Sequence, residues 1–529
     1  MTDYVLPLNL RQARSSFRYV DSTGVTRGAY TGVPQTTNYG GDRIGATIDF
    51  TPMGGKIASD QSLRRQLIAM LMRLRGRTNR VYLRDSSYVQ GGSFSAPELF
   101  SNSDFSTSAG WTVDAGTLSA SDGVMRLTAD QGGASTEFRQ QVTLAAYTPY
   151  ALRSIILDGA QSSGLQIGTF LSTSGSDGVS DYQTTRGYRV SSGVSVAAAT
   201  LNQYPTVFGT VTGFTAGAYV LVPFTSLSRC FLVDGGANLL LRSDEFDNAS
   251  WVNFRSTDAA NAATAPDGTA TADSIIEDAT ASNTHGISQQ ATITSPAAEV
   301  CFCVALKAGT RTWARLTMTE ATGATVAGAY FDVANAVVGT LATGAQWANT
   351  RAFCVPLGSG WSLCYIVSRK TNLATAVTFG IRLATSDGGE SYTGNGASLI
   401  YAWRATAAMS AVPTRLRQTT SAAASAESQT GSSLFVKGLP ESQTGLLLAG
   451  DQVEIDGQIK FLTAPLDSNA AGLGHLQFSP PLRRSVADNA PIIVCKPMGR
   501  FMIAGDSSGW SNEPGVFSTA ALDLEEAFG

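Results

Sequence analysis

Residues Leu99–Trp111 read L-F-S-N-S-D-F-S-T-S-A-G-W, and residues Leu240–Trp251 read L-L-R-S-D-E-F-D-N-A-S-W. The correspondence continues in the same order. Gln140-Gln141-Val142-Thr143-Leu144 meets Gln289-Gln290-Ala291-Thr292-Ile293, Asp158-Gly159 meets Ala308-Gly309, and Ala218–Phe224 meets Ala397–Trp403. The spacing between partners widens along the chain, as loop insertions produce. Four collinear matches predict two copies of one module. A repeat this long is a whole domain rather than a solenoid unit.

Working outward, the copies occupy about 97–232 and 238–412. Both consist of short alternating runs broken by Gly, Ser, Asp and Asn, which predicts β-sandwiches of jelly-roll type. Asp234-Gly235-Gly236 reads as a hinge between them. Gly91, Gly92, Ser93 and Ser95 mark the boundary before the first, and the small-residue run 418–433 reads as a linker. The flanks are 1–90 and 434–529. In the first, Ile44, Ala46, Ile48 and Phe50 alternate with polar residues as in a half-buried strand. The one strong helix follows over 59–75, capped by Ser59 or Asp60 and stopped at Gly76. Leu63, Leu67, Met70, Leu71 and Leu74 define its apolar face. Arg64, Arg65, Arg73 and Arg75 form a solvated, interface or lumen-facing side. Val81 and Leu83 restart a strand. In the last flank, Gln452–Ile459 surrounds Asp456-Gly457, a hairpin signal. The fold class is therefore mainly β, with one helix and two jelly-roll-like sandwiches.

The chain has 529 residues, of which 43% are hydrophobic and only 15% charged. Soluble proteins average roughly 25% charged residues. Low charge with abundant Ser, Thr, Ala and Gly suits secreted or virion β proteins better than cytosolic α/β enzymes. A net charge of −4 gives no field that would favour nucleic acid. No run predicts a membrane span, and Asp3, Arg11, Arg14 and Arg18 interrupt the start of the chain, unlike a signal peptide. The six cysteines show no C-x-x-C spacing and read as buried thiols of a protein assembled in the cytoplasm.

No catalytic constellation, metal site or cofactor motif emerges. With only His285 and His475 in the chain, both in turn-like contexts, zinc and Ser-His-Asp chemistry are disfavoured. Adjacent acids such as Asp244-Glu245 and Glu525-Glu526 point to opposite faces of a strand, a poor arrangement for a glycosidase pair. Asp244, Asp247 and Asp267 suit turn capping better than calcium, which needs six or more oxygens. Trp111, Trp251, Tyr401 and Trp403 carry two readings. Exposed rings stack on sugars, and large aromatics fill sandwich cores. Core filling is the leading reading and sugar contact the second.

The second module resembles the carbohydrate-binding-like sandwiches of bacteriophage tail proteins. The resemblance rests on Asn238–Ser243, Phe246-Asp247, Trp251, Ala265–Asp273, Tyr330-Phe331-Asp332 and Gly358–Cys364. The flanks are similar to phage distal tail proteins, through Gly40–Arg43, Pro52-Met53, the leucine-rich helix, Leu448–Val453, Ser479–Arg483 and Lys496–Phe501. The resemblance implies that the two flanks form one split β-barrel or sandwich tail domain carrying both modules as an insertion, in a homo-hexameric ring at the tail tip of a long-tailed phage, assembled in the host cytoplasm. Its partners would be the tail tube and tail hub or tip proteins. The inserted modules would face outward toward host surface glycan, with no membrane insertion and no specific nucleic-acid binding. A receptor-binding minor tail or fibre protein, or a tail-borne polysaccharide depolymerase, are the alternatives.

Overall fold

The computed structural model describes residues 3–5, 12–20, 23–27, 34–38, 42–50, 53–54, 65, 68–74, 79–85, 88–103, 105–114, 116–121, 124–130, 136–140, 142–157, 166–172, 179–183, 187–195, 202–210, 219–293, 298–320, 325–505, 510–512 and 517–527. The protein is mainly β, with several antiparallel sheets and a helix at 68–74.

The two copies of the module share one strand order. In the first, Gly116–Ser121, Val124–Ala129, Tyr219–Val233, Pro149–Leu157 and Gly187–Val194 are successive neighbours in one sheet. In the second, Ser256–Ala263, Ala272–Glu277, Leu399–Ala408, Glu299–Ala308 and Trp361–Lys370 follow the same order. The facing sheets also correspond. Thr112–Asp114, Thr136–Arg139, Asn202–Thr210, Gln166–Ser172 and Val179–Gln183 match Val252–Phe254, Gly286–Thr292, Ala376–Ala384, Trp313–Glu320 and Val326–Asp332. The widening spacing has a specific source. The second copy adds Val337–Thr343 and Trp347–Gly358 as one edge strand on each sheet. Matched strands start at Val179 and Val326 before this insertion, and at Gly187 and Trp361 after it. The Asp158-Gly159 match lies outside the described residues.

A shared polar clamp explains why the opening motif recurs. Gln140 accepts from the Ser101 N–H at 2.7 Å and donates to the Ser101 carbonyl at 3.2 Å. Gln289 does the same with Leu241, at 2.6 and 2.9 Å. One residue further on, Asn102 and Arg242 both adopt φ above +50°. Their carbonyls accept the indole N–H of Trp111 and Trp251. Each clamp satisfies backbone groups of a partly buried entry loop.

The chain's two ends build one sheet. Its order runs Asp3–Val5, Arg80–Arg84, Met498–Ile503, Phe517–Glu526, Arg43–Phe50, Gln12–Val20. Ile44, Ala46, Ile48 and Phe50 are buried as their alternation predicts. Met70, Leu71 and Leu74 of the helix pack on this face with Val81, Leu83, Phe501, Leu522 and Leu524. Arg65 and Arg73 are exposed, while Leu63, Leu67, the caps and Gly76 lie outside the described residues. Tyr82 points to the opposite face and is buried as well, because Tyr188 of the first module packs on it, ring centroids 4.5 Å apart.

Between this sheet and the modules lies a closed barrel. Ser433–Lys437, Gly474–Ser479, Gln458–Leu462, Gln452–Ile455 and Pro491–Ile493 pair in turn. The ring closes through the end of Tyr219–Val233, which pairs with both outer members. One stave thus belongs to the first module. Closure leaves no open edge, and Phe231, Val233, Leu434, Val436, Val453, Ile455, Leu476 and Phe478 fill the interior. Asp456 and Gly457, both at positive φ, make the predicted tight turn.

Three stretches expected to be loose are fastened. The 418–433 run is a strap rather than a free linker. Thr419 and Ser243 exchange hydrogen bonds, Ala424 bridges to Asn238, and Gln429 bridges to Val486. At the expected hinge, Asp234 is buried and accepts from Thr414 Oγ1 at 2.5 Å and the Arg415 N–H at 2.7 Å. At the first boundary, Asp451 accepts the N–H groups of Gly91 and Gly92, and a Cβ on Gly92 would meet the Leu446 carbonyl oxygen at 2.1 Å. Small residues here permit close approach rather than mobility.

Candidate functional site

The four aromatic candidates do not converge. Trp111 is buried among Phe100, Phe105 and Phe138, and Trp251 against Phe246 at 4.8 Å between centroids. Trp403 is 5% exposed, with its indole N–H on Thr271 Oγ1 at 3.1 Å and the Arg404 guanidinium 4.1 Å from its ring centre. Tyr401 is half-buried on the same sheet face. That face is roofed by Leu416, just before the strap, and by Ala471 and Leu473 between the barrel strands Gln458–Leu462 and Gly474–Ser479. All four rings serve packing.

The histidines and acids are likewise absorbed. His285 is fully buried, with Nδ1 2.9 Å from the Arg255 carbonyl and its ring against Tyr392. His475 stacks on Phe435. Asp244 pairs with Arg404 at 3.0 Å. Asp267 caps its own turn, accepting from the Thr269 N–H and hydroxyl. Those bonds hold its carboxyl below the usual range. Among the described residues no group of three His, Cys, Asp or Glu is placed to hold a metal ion, and no helix is long and apolar enough to cross a membrane.

A concavity that gathers polar groups lies where the first module, the second module and the barrel meet. A cleft of about 510 Å³ is lined by Tyr147 and Arg229 of the first module, Arg351 and Phe353 of the second, and Pro440 and Glu441 after the first barrel strand. That volume lies within the range of about 300–1,000 Å³ usual for small-ligand sites. Tyr147 sits in a turn at φ +52°, which presents its ring to the Arg351 guanidinium 4.1 Å away. Arg351 also donates to the Ala411 carbonyl. Burial pushes the Arg351 pKa down from the usual arginine value, and burial pushes the Glu441 carboxyl up, opposed by the Arg351 charge. Arg229 stacks over Phe94.

A guanidinium over an aromatic ring, with a carboxyl and apolar side chains lining the same cleft, can bind and orient a polar ligand. They supply no activated nucleophile. These residues come from four distant segments with no local motif, so the sequence carried no signal for them.

No known family matches this sequence, and no curated protein does. Among solved structures, the chain is similar to the tandem CBM22-1–CBM22-2 domains of Xyn10C from Paenibacillus barcinonensis. Identity is 10%, the TM-score 0.20, and the alignment covers 61% of this chain and all of that one. It is also similar to the mycobacterial arabinofuranosyltransferase AftD at 9% identity and a TM-score of 0.14, over 76% of this chain and 42% of that one. At these TM-scores neither likeness bears on activity. What stands is a mainly β protein with a distant structural similarity to a tandem of carbohydrate-binding modules.

Proposed function

We propose that this chain is a structural subunit of a phage tail, of the distal-tail ring type. Its two sandwich modules, distantly like carbohydrate-binding domains, are carried toward host glycan. The role is assembly and adhesion rather than catalysis, and it needs no cofactor. The subunit forms a homo-hexamer between tail tube and tail hub in the virion.

One observation supports this reading above the others. Strands from both ends of the chain share one sheet, with Ile48 opposite Leu522 and Ala46 opposite Leu524. A chain closed on itself in this way carries everything between its ends as an insertion on a common platform. The outer members of that sheet, Asp3–Val5 and Gln12–Val20, each end on an open edge among the described residues. Open edges offer backbone donors and acceptors to a neighbouring copy. A repeated head-to-tail contact of this kind closes into a ring when the rotation permits.

Native mass spectrometry of the full-length chain tests the proposal. Six copies are expected. Three copies would favour the fibre reading. Incubation with host polysaccharide is expected to show binding without release of reducing ends. Turnover removed by one carboxylate substitution would replace adhesion with depolymerase chemistry.

A further inference from the structure

The sheet Ser256–Lys370 of the second module divides its cysteines between two faces. Cys301 and Cys303 lie on the outer face with Trp361 and Tyr365, whereas Cys364 lies in the sandwich interior and Cys354 packs against that interior. Cys354, on the edge strand Trp347–Gly358, stands directly opposite Cys364 on Trp361–Lys370. Their sulfurs are 3.8 Å apart. Directly opposed antiparallel residues have Cα atoms about 4.5–5.5 Å apart. A disulfide spans Cα distances of about 4.4–6.8 Å, so closing the S–S bond needs side-chain rotation and little backbone movement. We infer that Cys354 and Cys364 are a modification site, a dithiol that closes to a reversible cross-strand disulfide when the protein meets a peroxide oxidant.

The roles within the pair differ. Cys354 is half-buried on the edge strand, and Cys364 is fully buried behind it. Their contact, in which either thiol can donate, lowers the Cys354 pKa, while burial raises that of Cys364. Cys354 is therefore the attacking thiolate. It takes one oxygen from hydrogen peroxide to give a sulfenic acid and hydroxide. The Cys364 sulfur then attacks the Cys354 sulfur, the S–O bond breaks, and the hydroxyl leaves as water with the Cys364 proton. Two thiols and one peroxide yield one disulfide and two waters.

Cys301, Cys303 and Cys230 are not placed for this. Cys301 and Cys303 are two residues apart on one strand, where the Cβ vectors run parallel instead of pointing toward each other. Both are fully buried, as is Cys230. The bridge ties an edge strand to its neighbour across the Gly358-Ser359-Gly360 turn. Edge strands belong to the part of a sheet that opens most readily, so closure tightens the module where it is weakest.

The test titrates hydrogen peroxide against the native full-length protein. Trypsin cuts after Arg351 and Arg369, so both cysteines fall in the single peptide 352–369. The expected result is a peptide lighter by two hydrogens and refractory to alkylation at both sulfurs until a reductant is added. Amide exchange across 349–356 slows in the oxidised protein. Cys301 and Cys303 remain alkylatable after denaturation. In Cys354→Ser the bridged peptide vanishes and Cys364 stays alkylatable. Oxygen addition at Cys354 without a bridge would overturn the inference. A bridge to Cys301 or Cys303, or bridging only after the wild-type protein is unfolded, would overturn it too.

Discussion

At the scale of single residues, the repeat is a set of obligations to the backbone. Gln140 and Gln289 recur because each closes a two-bond clamp on a partly buried loop. Trp111 and Trp251 recur because their indoles cap the carbonyl of a left-handed residue. Trp251→Ala is therefore a folding lesion. We expect a loss of about 3–5 kcal/mol of stability, read by denaturant unfolding. Glycan binding by the fraction still folded should be unchanged. A folded variant that had lost only glycan binding would show the ring to be a contact residue. A second residue-scale outcome concerns Lys460, buried beside Glu526 at 3.6 Å. Burial lowers its pKa from 10.5 to about 8. The folded state thus binds fewer protons than the unfolded chain between those values, and stability rises with pH across that window. Equilibrium unfolding of wild type between pH 8 and 10.5 should show this rise relative to Lys460→Met, in which that component is absent.

Elements show where local pattern was enough and where it was not. The alternation of Ile44 to Phe50, the Asp456-Gly457 turn and the apolar face of the helix were all legible, because each is a local steric or periodic constraint. Leu71→Asp should place an unpaired carboxylate against the terminal sheet. The loss should exceed about 3 kcal/mol, with calorimetry showing the transition of that sheet lost and the sandwich transitions kept. The 418–433 strap misled because Ser, Thr and Ala runs signal flexibility only when nothing covers them. Here the same small side chains let Thr419 and Ala424 lie close to the second module. Tyr82, between the apolar Val81 and Leu83, is buried as well, because a second sheet lies on its side.

The whole molecule is held by pairings far apart in sequence. A fully buried ion pair links the first module to the barrel and terminal sheet. Arg153 contacts Glu454 at 3.1 Å and donates to the carbonyls of Cys495 and Lys496, and Tyr188 and the Met498 N–H complete the Glu454 shell. Such a pair is costly to break from one side, about 3–5 kcal/mol. The shared barrel stave leads to a sharper outcome. Removing residues 97–412 takes away Cys230–Val233 and opens the barrel, so that deletion should give aggregated or unfolded protein. Removing 238–428 with a short turn in its place keeps the stave, since Val233 already pairs with Val436. That shorter chain should stay soluble and keep the oligomeric state of the parent by size-exclusion chromatography with light scattering. Equal behaviour of the two deletions would contradict the shared stave.

From sequence alone came the duplication, the all-β modules, the helix and the pairing of the two ends as one expectation. The modules and the helix are readable because side-chain period and turn chemistry act within a few residues, the duplication because its motifs recur in order, and the end pairing because neither flank alone supplies the strands of a closed β domain. Tertiary structure alone decided that the recurrent aromatics are core, that Tyr147, Arg229, Arg351 and Glu441 share a cleft, and that Cys354 faces Cys364. It also decided that one strand of the first module completes the barrel. Each of these depends on which surfaces exclude water from which, and no local pattern carries that information.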